Sequence, residues 1–290
     1  MRYSTLIKPE QLKPHLDHPT WAVVDCRFDL LDPTKGEREY LEEHIPGAVY
    51  AHIERDLSAL PTGSNGRHPL PTPESLSAVF IRWGIGSDVQ VVAYDASGGP
   101  FASRLWWCLR YLGHEAVAVL NGGFHSWKHA GFPICSGEEN RSPRTFIPRI
   151  QTNMRADTAQ LISQIGSASS LLLDARAPQR FRGEEEPLDP VAGHIPGAVN
   201  RFWELNLDDA GQFLPPEVLQ AQFETLLGGT SPQSIIGYCG SGVTSCHNLL
   251  AMAYAGLHGS RLYPGSWSEW CADPARPVAT ENQPLIECNL

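Results

Sequence analysis

Cys239 heads the segment Cys239-Gly240-Ser241-Gly242-Val243-Thr244, in which one thiol is set among two glycines and two hydroxyl-bearing residues. The thiolate is the nucleophilic form of cysteine, and its surroundings decide how much of it exists at neutral pH. Glycine permits positive φ, so successive backbone N–H groups can converge on one point as an anion nest. Ser241 and Thr244 add hydroxyl donors. The apolar run Ile235-Ile236-Gly237-Tyr238 before the loop reads as a short buried strand, and Cys246 to Gly256 after it reads as a helix. A loop between strand and helix stands where open parallel sheets bind ligands, under the positive end of the helix. Each of these features favours an ionised sulfur, and what steadies a thiolate also steadies a persulfide anion. The usual fate of an isolated cysteine is to be a small buried residue. That reading suits Cys26, Cys108, Cys135, Cys271 and Cys288, whereas the glycine-rich loop marks Cys239 as a nucleophile.

The chain repeats itself. His44-Ile45-Pro46-Gly47-Ala48-Val49 recurs as His194-Ile195-Pro196-Gly197-Ala198-Val199. Upstream, Asp25-Cys26-Arg27 matches Asp174-Ala175-Arg176. Downstream, Val91-Val92-Ala93-Tyr94-Asp95 matches Ile235-Ile236-Gly237-Tyr238-Cys239, and Gly122 to Trp127 matches Gly265 to Trp270. Four anchors in the same order describe a duplicated domain. Short buried strands alternating with helices predict an α/β fold, two domains each with a parallel sheet flanked by helices on both faces. The expected boundaries are 1–136 for the first copy, 137–153 for a polar, breaker-rich linker, and 154–290 for the second copy. Asp95 stands in the first copy where Cys239 stands in the second, so only the second carries a nucleophile. His44 and His194 occur in both copies, which makes them scaffold, with the imidazole bonded to backbone at a turn into a strand.

The 290 residues carry a net charge of −10 and no sizeable basic cluster, which argues against nucleic acid or an anionic membrane as partner. No apolar run is long enough to span a bilayer, and the first residues lack the apolar core of a signal peptide. Seven cysteines without paired metal spacing point to a reducing compartment rather than a disulfide framework, and the cytoplasm is the expected location.

The duplicated Asp-x-Arg, His-Ile-Pro-Gly-Ala and Gly-x-x-x-x-Trp pattern resembles the tandem rhodanese-domain sulfurtransferases over nearly the whole chain. The loop Cys239 to Thr244 is similar to that of the mercaptopyruvate branch, whereas thiosulfate-specific members carry basic residues there. The resemblance implies that Cys239 takes a sulfane sulfur from 3-mercaptopyruvate or thiosulfate and passes it to a thiol, cyanide or a thioredoxin-like acceptor. No metal or organic cofactor is implied. It assigns substrate binding to Gly240, Ser241, Gly242, Val243 and Thr244, and to Arg180, whose planar fork suits a carboxylate or sulfonate. The plain alternative for Arg180 is an ion pair with Glu184 or Glu185. It also assigns a proton-shuttling role to His68, with Glu54 as its acid and Asp56 as the neighbouring alternative. Mercaptopyruvate enzymes carry a second substrate arginine nine residues after the first. Here that position is Asp189, and Arg182 or Arg201 are the expected substitutes.

Two other readings compete. A cysteine phosphatase or arsenate reductase needs an arginine where this chain has Ser245, which removes the oxyanion holder. A non-catalytic binding module, or a redox sensor pairing Cys239 with Cys246, is the remaining alternative. In that reading Cys246 has to leave the first turn of its helix, where packing places it.

Overall fold

The computed structural model describes residues 2–165 and 170–280, and Cys288 lies outside them. The chain forms two compact units. One comprises Met1–Ala59, Pro71–Gln151 and Leu207–Phe213, and the other comprises Leu60–Leu70, Thr152–Asn206 and Leu214–Leu290. The units are therefore not contiguous in sequence. The short segment containing His68 belongs with the second unit. Of the segment 137–153, expected as a linker, residues 137–151 are tied to the first unit. There Gly137 N–H reaches Leu41 O at 2.9 Å, Arg149 N–H reaches Leu112 O at 2.8 Å, and Gln151 N–H reaches Tyr111 O at 2.8 Å.

The first unit holds a five-stranded parallel sheet of β1 (Leu6–Ile7), β2 (Trp21–Asp25), β3 (Ala48–Tyr50), β4 (Gln90–Tyr94) and β5 (Val117–Leu120), in the order β1-β5-β4-β2-β3. The second holds a four-stranded parallel sheet of β6 (Leu171–Asp174), β7 (Ala198–Asn200), β8 (Ile235–Tyr238) and β9 (Arg261–Leu262), in the order β7-β6-β8-β9. The two sheets repeat one another around their central strands, as the sequence duplication requires. β2 and β4 are buried at every position, which explains their continuous apolar runs. The helix Pro100–Tyr111 follows β4 and the helix Ser245–Tyr254 follows β8. Among the described residues no helix is long and apolar enough to cross a membrane.

The repeated Asp-x-Arg motif is the joint of each unit. Asp174 ends β6 beside Tyr238, the last residue of β8. Arg176 closes a fork onto its carboxylate, with Nη2 at 2.8 Å from Oδ2, and the same Nη2 reaches Gly193 O at 2.6 Å, just before His194. Both members of the pair are buried. Burial alone would lower the Arg176 guanidinium, but Asp174 more than offsets it and holds the charge in place. The Tyr238 hydroxyl accepts Ile195 N–H at 3.2 Å and hydrogen-bonds Asp174. The first unit does the same with Asp25, Arg27, Glu43 O, Tyr94 and Ile45 N–H. His44 and His194 are buried, and each sets Nδ1 at 2.7 Å from a backbone carbonyl, of Tyr40 and Phe181. This is the scaffold role expected of them.

Removing one partner of a buried ion pair leaves the other charge uncompensated, at a cost of about 3–5 kcal/mol. Asp174→Ala is therefore expected to lower the unfolding free energy of the full chain, read from urea titration, by that order. Adding Arg176→Met should recover part of the loss. A double variant no more stable than Asp174→Ala would contradict a role for the pair as a unit.

Candidate active site

Cys239 follows β8 directly, with 1% of its surface exposed. Its backbone N–H donates to Ser266 Oγ at 3.1 Å, and its carbonyl accepts Trp267 N–H at 2.9 Å. Ser268 N–H likewise reaches Gly240 O at 2.9 Å. The segment after β9 thus clips the nucleophile loop from one side. Within the loop, Gly242 N–H points at Cys239 Sγ from 3.1 Å. Burial pushes the Cys239 thiol up, but the Thr244 hydroxyl and the Ser245 and Ser241 backbone N–H groups more than offset this, and the thiol lies below its ordinary value of 9.0. The Ser245 hydroxyl makes no hydrogen bond of good geometry, yet lies close enough to the sulfur to act as a weak donor. Val243 is packed inside and lends its carbonyl to the Cys246 N–H.

The two loop glycines serve different ends. Gly242 has φ of +79°, and a Cβ there would meet Pro264 O at 2.1 Å. Gly240 does not adopt the positive φ that glycine permits. Guanidinium groups stand beside it. A Cβ at Gly240 would lie 2.9 Å from Arg67 Nη2 and 3.5 Å from Arg180 Nη1 and Nη2.

The first unit shows what this cradle is. Asp95, buried at the matching position, accepts N–H groups from Ser97, Gly99, Phe101 and Ala102 at 2.8–3.0 Å. Burial raises the Asp95 carboxyl, with those four donors opposing. In one copy the ring of N–H donors closes on the chain's own carboxylate, and in the other it faces a thiol.

Arg180, on the helix Pro178–Arg182, pairs with Glu186 at 2.6 Å and with Asp189 at 3.3 Å, rather than with Glu184 or Glu185. Asp189 also pairs with Arg67. Arg182 is held by Glu184 at 2.7 Å, and Arg201 is turned to Leu205 O, Asn206 and Gln222. Neither therefore replaces the arginine absent from position 189. His68 is buried in the second unit, with Nδ1 at 2.7 Å from Ser241 Oγ. Glu54 is an exposed residue of the helix Ile53–Asp56 in the first unit, and Asp56 there pairs with Arg82. All six cysteines among the described residues are free thiols, and Cys246 Sγ lies 3.4 Å from Gly242 O.

Three contributors were not evident from the sequence. Arg67 sits next to His68, Glu186 holds Arg180, and Ser266 cradles the Cys239 backbone. Ser266 adopts φ of +54°, alone among the described non-glycine residues, and its hydroxyl also donates to Tyr263 O at 3.0 Å. The repeat carried a signal for it, because the matching residue is Gly123, with φ of +56°. A serine kept where its twin needs glycine marks a site that tolerates backbone strain for its hydroxyl.

A rhodanese-like domain model matches residues 8–130 and again 157–273. The chain is 49% identical to a probable 3-mercaptopyruvate sulfurtransferase of Pseudomonas aeruginosa, over 97% of this chain and 99% of that protein. It is 40% identical to a putative thiosulfate sulfurtransferase, SseB, of Mycobacterium tuberculosis, over 89% and 90% of the two chains. Among solved structures it is similar to SseA from Escherichia coli, described with the 3-mercaptopyruvate sulfotransferases of rhodanese fold. That likeness has a TM-score of 0.78 and 31% identity, covering 91% of this chain and 99% of that one.

The loop's donors carry a titration prediction. Ultraviolet thiolate absorbance, taken as the difference from Cys239→Ser, should rise at a pH below the ordinary thiol value. Thr244→Val removes a donor to the charged sulfur, so the midpoint should move up and the thiolate fraction at neutral pH should fall about tenfold. An unmoved midpoint would count against the loop as the cause.

Proposed function

Since the chain belongs to the rhodanese-like family and is a sulfurtransferase, we propose that Cys239 accepts its sulfur from 3-mercaptopyruvate in preference to thiosulfate. The observation that carries this reading is the His68–Ser241 hydrogen bond of 2.7 Å inside the loop that cradles Cys239. Thiosulfate surrenders its outer sulfur and leaves as sulfite, with no proton to deliver to carbon. Mercaptopyruvate leaves as the enolate of pyruvate, and that carbon must be protonated. A histidine tied to a loop hydroxyl is the equipment for moving that proton.

The Cys239 thiolate attacks the donor sulfur, the carbon–sulfur bond breaks, and its electron pair passes to carbon. The proton from the donor thiol travels through Ser241 and His68 to that carbon, giving pyruvate and a Cys239 persulfide anion. Charge and hydrogen balance without an external oxidant. The converging N–H groups and the Thr244 hydroxyl that favour the thiolate also hold the persulfide. A thiol, cyanide or a thioredoxin-like acceptor then attacks the outer sulfur and restores Cys239. Arg180 anchors the donor's carboxylate beside the loop.

Intact mass after incubation with either donor should show one added sulfur, removed by cyanide and absent in Cys239→Ser. Failure to load from both donors would defeat the assignment of Cys239. His68→Gln and Ser241→Ala should each lower kcat with mercaptopyruvate by roughly 100-fold or more, and should affect thiosulfate turnover far less. A higher kcat/KM for thiosulfate than for mercaptopyruvate in the unmodified protein would reject the donor assignment.

A further inference from the structure

We propose that His44, Cys135 and Glu139 form a binding site for a borderline-soft divalent cation, Zn²⁺ foremost, which fastens the start of the segment 137–151 to the turn leading into β3. All three residues belong to the first unit, whereas Cys239 belongs to the second.

One ligand atom from each of the three residues lies within 4.8 Å of the others. His44 Nε2 is 3.1 Å from Cys135 Sγ, and Cys135 Sγ is 3.7 Å from Glu139 Oε1. Nitrogen, sulfur and oxygen bound tetrahedrally to Zn²⁺ at their usual bond lengths stand about 3.3–3.6 Å apart. The imidazole and the thiol are already close to that spacing, and only the flexible end of Glu139 has to draw in.

The protonation of His44 leaves the right nitrogen for a metal. Nδ1 lies 2.7 Å from Tyr40 O, and a carbonyl can only accept, so Nδ1 carries the proton. Nε2 of the neutral ring then presents a lone pair toward the thiol and the carboxylate. An imidazole held through Nδ1–H on a backbone carbonyl is the orientation that metal-binding histidines use.

The backbone holds the ligands together before any cation arrives. His44 and Cys135 exchange both of their backbone hydrogen bonds, at 2.8 and 3.0 Å. The Tyr40 hydroxyl accepts Glu139 N–H at 2.9 Å while its ring stacks on His44, with centroids 4.2 Å apart. Gly47 N–H hydrogen-bonds the Cys135 sulfur, the kind of outer support that a metal thiolate receives. His44 is buried, whereas Cys135 and Glu139 are half-buried and give a cation its way in. A thiolate and a carboxylate together balance the charge of a dication, and binding releases the thiol proton. One sulfur and one imidazole ligand favour Zn²⁺ over Mg²⁺ or Ca²⁺, which take oxygen.

The second unit shows what the fold alone requires here. His194 keeps its Nδ1 contact with Phe181 O and the same double backbone pairing, but its partner is Ala279. The turn therefore needs neither a thiol nor an acid beside its histidine. Its scaffold role accounts for Nδ1 and leaves the grouping of Nε2 with Cys135 and Glu139 unexplained.

The test uses the full chain carrying Cys239→Ser, which removes the reactive thiol, kept reduced with a phosphine and titrated with Co²⁺ as a spectroscopic probe. One equivalent should bind with the near-ultraviolet sulfur-to-cobalt absorbance of a thiolate ligand, and Zn²⁺ should displace it. Adding Cys135→Ala, the residue that the twin position already carries, should abolish that absorbance. Adding Glu139→Gln should instead weaken Kd by about 10-fold or more. Saturating Zn²⁺ should raise the thermal midpoint of the Cys239→Ser protein and leave that of the added Cys135→Ala variant unmoved. Absence of cobalt–thiolate absorbance, its survival in Cys135→Ala, a Kd indifferent to Glu139→Gln, or an equal Zn²⁺ effect on both midpoints overturns the proposal.

Discussion

Everything at this site hangs from a buried ion pair. Asp174 and Arg176 are taken out of water at a cost that only close mutual pairing can offset. Their geometry fastens together, at one end of the sheet, three stretches of chain that the strand pairing already brings side by side. The carboxylate lies at the end of β6, the guanidinium reaches the carbonyl before His194, and the Tyr238 hydroxyl ties the end of β8 to Ile195. Cys239 is the residue after Tyr238. The sulfur is placed by a polar knot directly behind it.

The two copies show how little separates scaffold from enzyme. Both end their central strand in a turn that collects backbone N–H groups. Asp95 fills that turn with its own carboxylate, and four donors satisfy it. Cys239 leaves it facing a group that is neutral or charged according to pH. An anion cradle is thus the common feature of the repeat, and catalysis needs only a nucleophile in place of a spectator anion. The strained Ser266 backbone belongs to the same exchange, since its hydroxyl supports the Cys239 amide where Gly123 offers none.

The acids around Arg180 follow a related logic. Glu186 pairs with both Arg176 and Arg180, at 3.2 and 2.6 Å, linking the structural knot to the cationic edge of the site. Asp189 extends that chain of alternating charge to Arg67. Alternation lets several arginines crowd near one thiol without repelling one another apart.

The duplication, the parallel sheets and the matching of Cys239 with Asp95 at the ends of the central strands were all legible in the sequence. Each depends on local order, such as an apolar run, a turn or a glycine at a fixed offset. The roles of His44 and His194 were legible for the same reason, because repetition exposes scaffold. The division of the chain into units was not, since Leu60–Leu70 joins the second unit and Leu207–Phe213 the first. Nor was the setting of Gly240, which stands beside the guanidiniums of Arg67 and Arg180 without using the positive φ open to glycine. Sequence by itself determined which atom can react, because an activated thiol is made by its immediate neighbours. Only the tertiary structure decided which charges surround that atom. Arg67 and Asp189 are far apart along the chain, and nothing in local spacing records an ion pair formed by folding.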